Sequence, residues 1–194
     1  MAHVPPATQA QAPSAVAPPW AGDVVPPGVH LRAAFLEEEG ALMALRRACG
    51  WSADAVPHQF RAMREGRREI WVAVCGGYLV GTVTVEWVAD DPELADGATT
   101  AHISNLVVHP GYRHRGIGRG LLGAVERAAA ARGRTTITIG VDWGNDYARR
   151  LYERRGYAYV KDLNAPWGLV HILRHPLPKP EVRSPKSEVQ LPRS

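Results

Sequence analysis

The segment VVHPGYRHRGIGRGLLGAVERA, Val107 to Ala128, brings five glycines and several arginines together just before an apolar repeat. Pro110 ends the β-rich run that opens the segment, and apolar residues from Ile117 onward recur with helical spacing. A glycine-rich helix start leaves backbone N–H groups free, and the helix dipole adds positive charge there. The segment therefore predicts a strand, a loop and a helix whose N-terminus binds an anion.

The rest of the chain alternates between β-rich and helical patterns around this segment. Two β-rich runs flank Gly76 and Gly77, which is a strong hairpin signal. The predicted order of elements is β, α, α, β, β, β, α, β, α, β, β. Because this order allows only one or two parallel crossovers, it predicts an α/β (α+β) protein with a mixed sheet.

Both ends of the chain are rich in proline and lack apolar periodicity. Residues 1–27 contain a single charged side chain, Asp23, and residues 176–194 are polar. Segments of this composition bury too little apolar surface to fold. We therefore expect two disordered tails around one domain, residues 28–175, since 194 residues suit a single ordinary domain.

Composition predicts a soluble globular protein, with 22% charged and 45% apolar residues. The longest apolar runs are too short to cross a bilayer, and the N-terminus lacks the basic start and apolar block of a secretory signal. Cys49 and Cys75 alone make neither a disulfide framework nor a zinc site. We expect a cytoplasmic protein that binds neither a metal nor a membrane.

Charge is unevenly distributed, although the net charge is only +4. Ten arginines lie between Arg113 and Arg155, whereas residues 86–96 hold five acids and no Lys or Arg. This pattern favours an anionic ligand on one side and a cationic one on the other, although a solvated surface remains an alternative for the acidic segment. Nucleic acid is not expected as a partner, because the basic residues cluster at one loop without interleaved aromatic residues.

Two motifs overlap in the glycine loop. The first, GRGLLG from Gly118 to Gly123, matches the G-x-G-x-x-G dinucleotide fingerprint, and Asp142 ends the next β-rich run. A dinucleotide loop turns directly out of its strand, but here nine residues separate Val108 from Gly118. The three glycines would then fall inside the helix. A dinucleotide-binding oxidoreductase is therefore the weaker alternative.

The second motif, RHRGIG from Arg113 to Gly118, has the form R-x-x-G-x-G. Downstream, NDYARRLYERRGY from Asn145 to Tyr157 combines an Asn, a short helix, a Tyr and a Gly with an aromatic residue. In this order, separated by one strand, the two segments resemble the acyl-coenzyme A segments of the GNAT acetyltransferase family. The resemblance implies a GNAT-like fold, which is a mixed, mostly antiparallel sheet with two splayed parallel central strands flanked by helices.

The resemblance also implies an acetyl-CoA-dependent N-acetyltransferase, in which an amine attacks the thioester directly in a ternary complex. Backbone N–H groups of the glycine loop would hold the pyrophosphate. The pantetheine arm would pair with the first splayed strand, where an N–H near its end would serve as an oxyanion donor. The residues thereby assigned to acetyl-CoA are Leu106, Val107, Val108, Arg113, His114, Arg115, Gly116, Ile117, Gly118, Arg119 and Asn145.

Two residues are assigned to proton transfer by the same resemblance. Tyr152 matches the tyrosine near the thioester sulfur and is expected to protonate the leaving thiolate, with an ordinary core tyrosine as the alternative. His102 stands where one histone-modifying branch of the family has a glutamate base, and its unperturbed pKa suits that role. Glu86, Asp142 and an ordered water are alternative bases, and His102 is equally consistent with a plain sheet histidine.

The acceptor is expected to be an amine of a small molecule or peptide. The two N-terminal helices, residues 86–100 and the last hairpin would build its site, with candidate walls at Trp51, Trp87, Trp143 and Trp167. A non-catalytic acyl-CoA-binding module on the same fold is the main alternative to an enzyme. The sequence leaves the length of the acyl group and a homodimer open.

Overall fold

The computed structural model describes residues 23–178. Within this range the chain forms seven strands and four α-helices, in the order that the sequence predicts. The strands are β1 (Val29–Ala33), β2 (Arg68–Cys75), β3 (Tyr78–Glu86), β4 (Thr100–Val108), β5 (Thr136–Asp142), β6 (Ala158–Ala165) and β7 (Gly168–Pro176). The helices are α1 (Glu39–Ala48), α2 (Val56–Arg64), α3 (Ile117–Ala131) and α4 (Asp146–Arg154).

All seven strands form one sheet in the order β1-β2-β3-β4-β5-β7-β6. Among the described residues β4 and β5 are the one parallel pair, and α3 connects them. Every other neighbouring pair is antiparallel. The β2–β3 hairpin turns at Gly76 and Gly77, whose positive φ angles favour glycine. The predicted mixed, mostly antiparallel sheet is confirmed.

The two parallel strands separate towards their C-terminal ends. Thr100–Ile103 of β4 pairs with Thr136–Ile139 of β5. Beyond this stretch, Ser104, Val107 and Val108 stay in register with β3 and residues 140–142 stay in register with β7, so the two ends are not paired with each other. We call the gap between these two strand ends the wedge. It corresponds to the splayed pair that the sequence motifs imply.

A layer of helices covers each face of the sheet. On one face α3 contributes a row of fully buried side chains, which are Ile117, Leu121, Leu122 and Val125. On the other face Leu42 of α1 and Phe60 of α2 form one cluster with Ile70 and Val72 of β2. Fully burying a side chain of this kind stabilises the fold by about 1.5–3 kcal/mol. The strands that border the wedge are thus part of a sheet supported on both faces.

Residues 23–28, which we call the N-terminal strap, pack against α3. Asp23 pairs with Arg155 through both carboxylate oxygens, at 3.0 and 2.9 Å, and the two side chains are buried. Val25 lies beside Gly120, where an added Cβ would be 2.5 Å from the valine Cγ1. Gly120 is therefore needed because the strap approaches α3 closely.

The described range differs from the predicted domain, residues 28–175, at both ends. The strap begins before the predicted start, and after the predicted end Leu177 is buried and donates its N–H to the Thr135 carbonyl at 2.8 Å. Residues 1–22 and 179–194 lie outside the described residues. The domain boundaries at residues 28 and 175 stay a prediction. Because Asp23, Val25 and Leu177 make these contacts from outside those boundaries, residues 28–175 should be compared with residues 23–178.

The structure rejects the dinucleotide-binding alternative. Gly118, Gly120 and Gly123 all lie inside α3, so they do not form a loop that turns out of a strand. A sheet with a single parallel pair in residues 23–178 is also incompatible with the doubly wound sheet of a dinucleotide domain. The central glycine of the G-x-G-x-x-G match, Gly120, is needed instead for the close approach of the N-terminal strap to α3.

The part of the chain that the structure describes holds no helix long and apolar enough to cross a membrane. The same residues contain no group of three or more His, Cys, Asp or Glu side chains that could hold a metal ion. Cys49 and Cys75 are both free thiols.

Candidate active site

The glycine loop, residues 109–116, leads from β4 into α3. Gly116 is the N-cap of α3 and has a φ of 85°, a left-handed conformation that other residues rarely adopt. No side chain caps this helix start, so the first-turn N–H groups of Ile117, Gly118 and Arg119 have no intrahelical acceptor. Free N–H groups and the helix dipole favour a phosphate at this position, which fits the pyrophosphate of coenzyme A.

Basic side chains surround that helix start. The exposed ones are Arg113, His114, Arg115 and Arg119. Arg113 is anchored by a bond from its Nε to the Val108 carbonyl at 3.0 Å. His114 has a φ of 60°, and its ring contacts the ring of Tyr147 in α4 at a centroid distance of 5.8 Å. A positive φ at a residue with a side chain costs about 1–3 kcal/mol, so the fold holds His114 in a position that its backbone disfavours.

The last residues of β4 border the wedge. Val107 and Val108 remain paired with β3, whereas Asn105 and Leu106 fall in a bulge where the register to β3 shifts. Asn105 has a φ of 55° there. A bulge leaves its extra residue out of the strand ladder and re-aims the local backbone. Beyond Ile103 the edge of β4 that faces β5 has no strand partner within residues 23–178, so an extended ligand has room to pair there. Leu106 and Val108 stay the predicted oxyanion donors.

Arg46 of α1 holds the side chain of this bulge, although the sequence motifs do not point to it. Its Nη1 donates to Asn105 Oδ1 at 2.9 Å, and its Nε donates to the Ser52 carbonyl at 2.7 Å. Arg46 is buried, and desolvation lowers its pKa. A buried guanidinium is costly unless its donors are satisfied, so the two contacts fix both Arg46 and the bulge.

Asn145 is the N-cap of α4. Its side-chain oxygen accepts the N–H of Ala148 at 3.2 Å. Asn145 therefore caps α4 in the protein alone, and contact between Asn145 and acetyl-CoA stays a prediction.

Tyr152 lies on the buried side of α4 and is 5% exposed. Burial raises the pKa of Tyr152, and the negative charge of Asp142 raises it further. The phenol is therefore protonated at neutral pH and is able to donate a proton or a hydrogen bond. Unperturbed phenol and thiol pKa values are about 10 and 8.5, so the shift widens the gap to a leaving thiolate. The surroundings of Tyr152 thus make its phenol a weaker acid than a free one.

A buried polar cluster lies next to Tyr152. The Tyr152 ring contacts that of Tyr157 at 6.0 Å between centroids, and Tyr157 donates its hydroxyl to Glu126 Oε1 at 2.9 Å. Arg155 donates to both oxygens of Glu126, at 3.2 and 2.5 Å, and also binds Asp23. Glu126 is fully buried. The cluster connects α3, the end of α4 and the N-terminal strap, and it adjoins Tyr152 through the ring of Tyr157.

His102 lies on β4 within the stretch that pairs with β5, and it is 8% exposed. Its Nδ1 is 2.8 Å from the hydroxyl of Thr138 on β5. Burial lowers the pKa of His102, while the charges of Glu86 and Asp91 act against that effect. The imidazole is therefore neutral at pH 7 and able to accept a proton.

The two carboxylates considered as alternative bases have different surroundings. Glu86 accepts from Ser104 Oγ at 2.8 Å and from Arg68 Nη2 at 3.0 Å. Both oxygens of Glu86 are thus already bound by donors of the protein itself, which favours His102. Asp142 is exposed and accepts from Trp167 Nε1 at 3.2 Å.

The acidic segment, residues 86–96, is largely bound to the protein itself. Asp96 accepts three backbone N–H groups of the turn that follows it, and these bonds hold its pKa well below the usual range. Asp91 and Glu93 both pair with Lys161 of β6. The segment thus offers less free negative charge than its composition suggests.

A cavity of about 400 Å³ opens at the C-terminal end of β5, and its lining residues are Asp142, Trp143, Trp167, Gly168 and Leu169. Trp143 and Trp167 are 67% and 75% exposed. Exposed indoles beside a carboxylate suit a cationic amine. The other two predicted walls do not line this cavity. Trp87 is buried, and the guanidinium of Arg46 lies over the ring of Trp51.

Comparisons with known proteins agree with this geometry. The model of the acetyltransferase (GNAT) family matches residues 35–157. GCN5-related N-acetyltransferase 4, chloroplastic, from Arabidopsis thaliana is 31% identical over 90 residues, which are 44% of this chain and 31% of that protein. The chain thus spans about a third of the length of that relative.

Solved structures share the fold. The ribosomal-protein-S18-alanine N-acetyltransferase from Escherichia coli has a TM-score of 0.63 at 19% identity, over 77% of this chain and 94% of that chain. An aminoglycoside 6'-N-acetyltransferase complexed with coenzyme A has a TM-score of 0.62 at 20% identity, over 78% of this chain and 99% of that chain. At this identity the likeness concerns the fold. Since the family match extends over more than half of the chain, the protein belongs to the acetyltransferase (GNAT) family.

Proposed function

We propose that this protein transfers an acetyl group from acetyl-CoA to the amine of a small molecule, by direct attack in a ternary complex. The observation that carries the proposal is the wedge. Two parallel strands separate where β4 carries a bulge, and an uncapped helix N-terminus follows at the end of that strand. This combination suits an extended ligand with an anionic end, which is the form of an acyl-coenzyme A.

Acetyl-CoA supplies the activated acyl group as a thioester. The N–H groups of residues 117–119 would hold its pyrophosphate, and Arg113 and Arg115 would add charge-assisted bonds to phosphate oxygens. The edge of β4 at Leu106 and Val108 would pair with the pantetheine arm. The N–H groups of residues 117–119 have no intrahelical acceptor, and Arg113 and Arg115 are exposed.

The reaction forms a C–N bond and breaks a C–S bond. The amine nitrogen attacks the thioester carbon, and an N–H of β4 stabilises the negative charge that develops on the carbonyl oxygen. Collapse of this intermediate expels coenzyme A as a thiolate. An acceptor that binds as an ammonium first releases one proton to solvent, because its nitrogen needs a free lone pair to attack. After the attack the nitrogen gives one proton to His102 and the thiolate takes one from Tyr152, so the products are an amide and the thiol. Exchange with solvent then moves the proton from His102 back to Tyr152.

Several observations support a cationic small-molecule acceptor. The cavity at the end of β5 has the volume of a small-molecule site, since such sites measure about 300–1,000 Å³. Asp142 would attract an ammonium group, and the exposed faces of Trp143 and Trp167 would contact it by cation–π interaction. One structural relative is named for an aminoglycoside acceptor. A protein acceptor, as in the name of another relative, is the alternative.

The cofactor site is tested by Gly118→Val. An added Cβ at Gly118 would meet only Val108 Cγ2 at 3.8 Å, so the fold tolerates it, whereas a branched side chain would enter the expected phosphate path. We expect weaker binding of acetyl-CoA by calorimetry. Gly40→Val is the matched control, because Gly40 is the second residue of α1 just as Gly118 is of α3. Equal affinity in both variants would contradict the site.

A non-catalytic acyl-CoA-binding module remains the second candidate. It predicts acetyl-CoA binding without release of thiol in the presence of any amine. Neutral His102 and protonated Tyr152 are the protonation states that turnover requires. A screen of an amine library with detection of thiol release distinguishes the two.

A further inference from the structure

We propose that Thr138 is a positioning residue that fixes the tautomer of His102, so that His102 presents an unprotonated Nε2 to the acceptor amine. This inference rests on the proposed function, in which His102 accepts the proton of the amine. Thr138 belongs to none of the sequence motifs. It is the residue of β5 that stands in register with His102 in the parallel pair.

The Thr138 hydroxyl contacts three groups. Its Oγ1 is 2.8 Å from the Leu94 carbonyl oxygen, 3.4 Å from the Ala101 carbonyl oxygen and 2.8 Å from His102 Nδ1. A carbonyl oxygen only accepts, and a hydroxyl has a single proton. That proton points to Leu94, which is the nearer carbonyl. The contact with His102 is therefore one in which Thr138 accepts, and Nδ1 carries the hydrogen.

A neutral imidazole has one N–H, so a hydrogen on Nδ1 leaves the lone pair on Nε2. The partner of one ring nitrogen thus decides which nitrogen is free to act as a base. Histidine in water favours the opposite tautomer, with the hydrogen on Nε2. Thr138 reverses that preference by giving Nδ1–H a buried acceptor.

The surroundings of His102 keep its imidazole ring neutral. Thr138 is fully buried and His102 nearly so. The charged groups that face the ring are Glu86 of β3, Arg68 of β2 and Asp91 of the acidic segment. The two carboxylates favour the protonated ring, Arg68 opposes it, and burial opposes it most strongly. The ring is neutral, so its tautomer determines which of its two nitrogens can act as a base.

The carbonyl that takes the Thr138 proton is itself held in place. Leu94 lies between Glu93, which pairs with Lys161, and Asp96, which binds the N–H groups of the following turn. These contacts hold the Leu94 carbonyl oxygen within hydrogen-bond distance of the Thr138 hydroxyl. Without them the hydroxyl could turn its proton towards Nδ1, which would move the histidine hydrogen to Nε2.

The tautomer is measured by ¹⁵N NMR of the imidazole nitrogens in the full chain without ligand, at pH 7.5. The His102 signals are identified by their loss in His102→Gln. We expect Nδ1–H in the wild type and in Thr138→Ser, which keeps the hydroxyl. Thr138→Val keeps the shape but removes the acceptor, and we expect Nε2–H. Nε2–H in the wild type overturns the proposal even if the valine variant does not fold, and so does Nδ1–H in a folded Thr138→Val.

Turnover separates this inference from the proposed role of His102. In Thr138→Val we expect kcat to fall by about 10–100-fold with an unchanged Kd for acetyl-CoA, and the acidic limb of the kcat/KM profile to move. Thr138→Ser should restore both. A changed tautomer with unchanged kcat would show that Thr138 sets the tautomer but that His102 is not the base, which overturns the catalytic half of the proposal.

Discussion

Arg46 and Asn105 are 59 positions apart in the chain and are joined by a hydrogen bond of 2.9 Å from the guanidinium to the amide oxygen. The bond connects α1 to the bulge of β4, and Asn105 Nδ2 continues the network to Ser104 Oγ at 3.0 Å. The backbone of β4 that borders the wedge is thus held by the buried guanidinium of Arg46. Arg46 belongs to α1, which lies on the face of the sheet opposite to α3. The backbone of Asn105 is in the left-handed conformation, which Asn tolerates better than most residues.

Asn105→Ala should lower both stability and turnover. It leaves a buried guanidinium donor without its partner, which costs about 1–3 kcal/mol, and it forces alanine into a positive φ. Asn105→Gly removes the same hydrogen bond without the backbone strain, so it should lose less stability. We expect kcat to fall in both variants because the oxyanion donors next to the bulge lose their alignment. Urea unfolding and steady-state kinetics measure the effects, and wild-type kcat in both variants would contradict the role of the bulge.

Asp23→Asn should destabilise the protein, although composition places this residue in a tail. Arg155 keeps Glu126 but loses one of two buried carboxylates, so we expect a loss of about 2 kcal/mol. For a domain of this size that corresponds to about 4–8 °C in Tm. Glu37→Gln serves as a control, because Glu37 is exposed.

The strap is tested independently by chain length. Residues 23–178 should melt close to the full chain, whereas residues 28–175 should melt lower because they lack Asp23, Val25 and Leu177. Equal melting temperatures for the two fragments would support the shorter boundaries that composition predicts.

His102 should make the protein sensitive to acid. Its folded pKa lies below the unfolded value of about 6.5, so between these two values the unfolded state binds a proton that the folded state does not. Stability is therefore unaffected above pH 6.5, falls as the pH drops through this window and levels off below the folded pKa. In His102→Gln the loss of stability between pH 7.5 and 5.5 should be smaller than in wild type. Urea midpoints at the two pH values measure it, with exposed His30→Gln as the control; an equal loss in both variants would exclude His102 as the cause.

The sequence predicts the parts of the fold that depend on local pattern. Gly76 and Gly77 locate a hairpin because a tight turn needs their positive φ, and Pro110 ends a strand because it has no N–H. The R-x-x-G-x-G spacing places the glycine loop at a helix start. Each of these features depends on residues that are neighbours in the chain, so each is visible without the structure.

Contacts between distant segments are not visible in the same way. Arg46, Glu126 and Arg155 have the spacing of solvated charges on helices, yet all three are buried against partners far along the chain. Thr138 is one threonine in a β-rich run, where its residue type is expected for packing alone. In the acidic segment, composition suggests free negative charge, but the structure shows contacts within the protein. Asp91 and Glu93 pair with Lys161, and Asp96 binds local N–H groups.

Tyr152→Phe tests the acid directly. It removes only the hydroxyl from a buried ring, so packing against Tyr157 should survive and the melting temperature should change little. If Tyr152 protonates the leaving thiolate, kcat should fall by about 10²–10⁴-fold, the usual range for a general acid. The Kd for acetyl-CoA should barely change, because the phosphates bind at the start of α3. Tyr157→Phe is the contrasting variant: it removes one of the hydrogen bonds that buried Glu126 accepts, so it should lower stability more than kcat at a temperature where it is folded. A Tyr152→Phe enzyme with wild-type kcat would rule out Tyr152 as the proton donor and leave solvent or another group to protonate the thiolate.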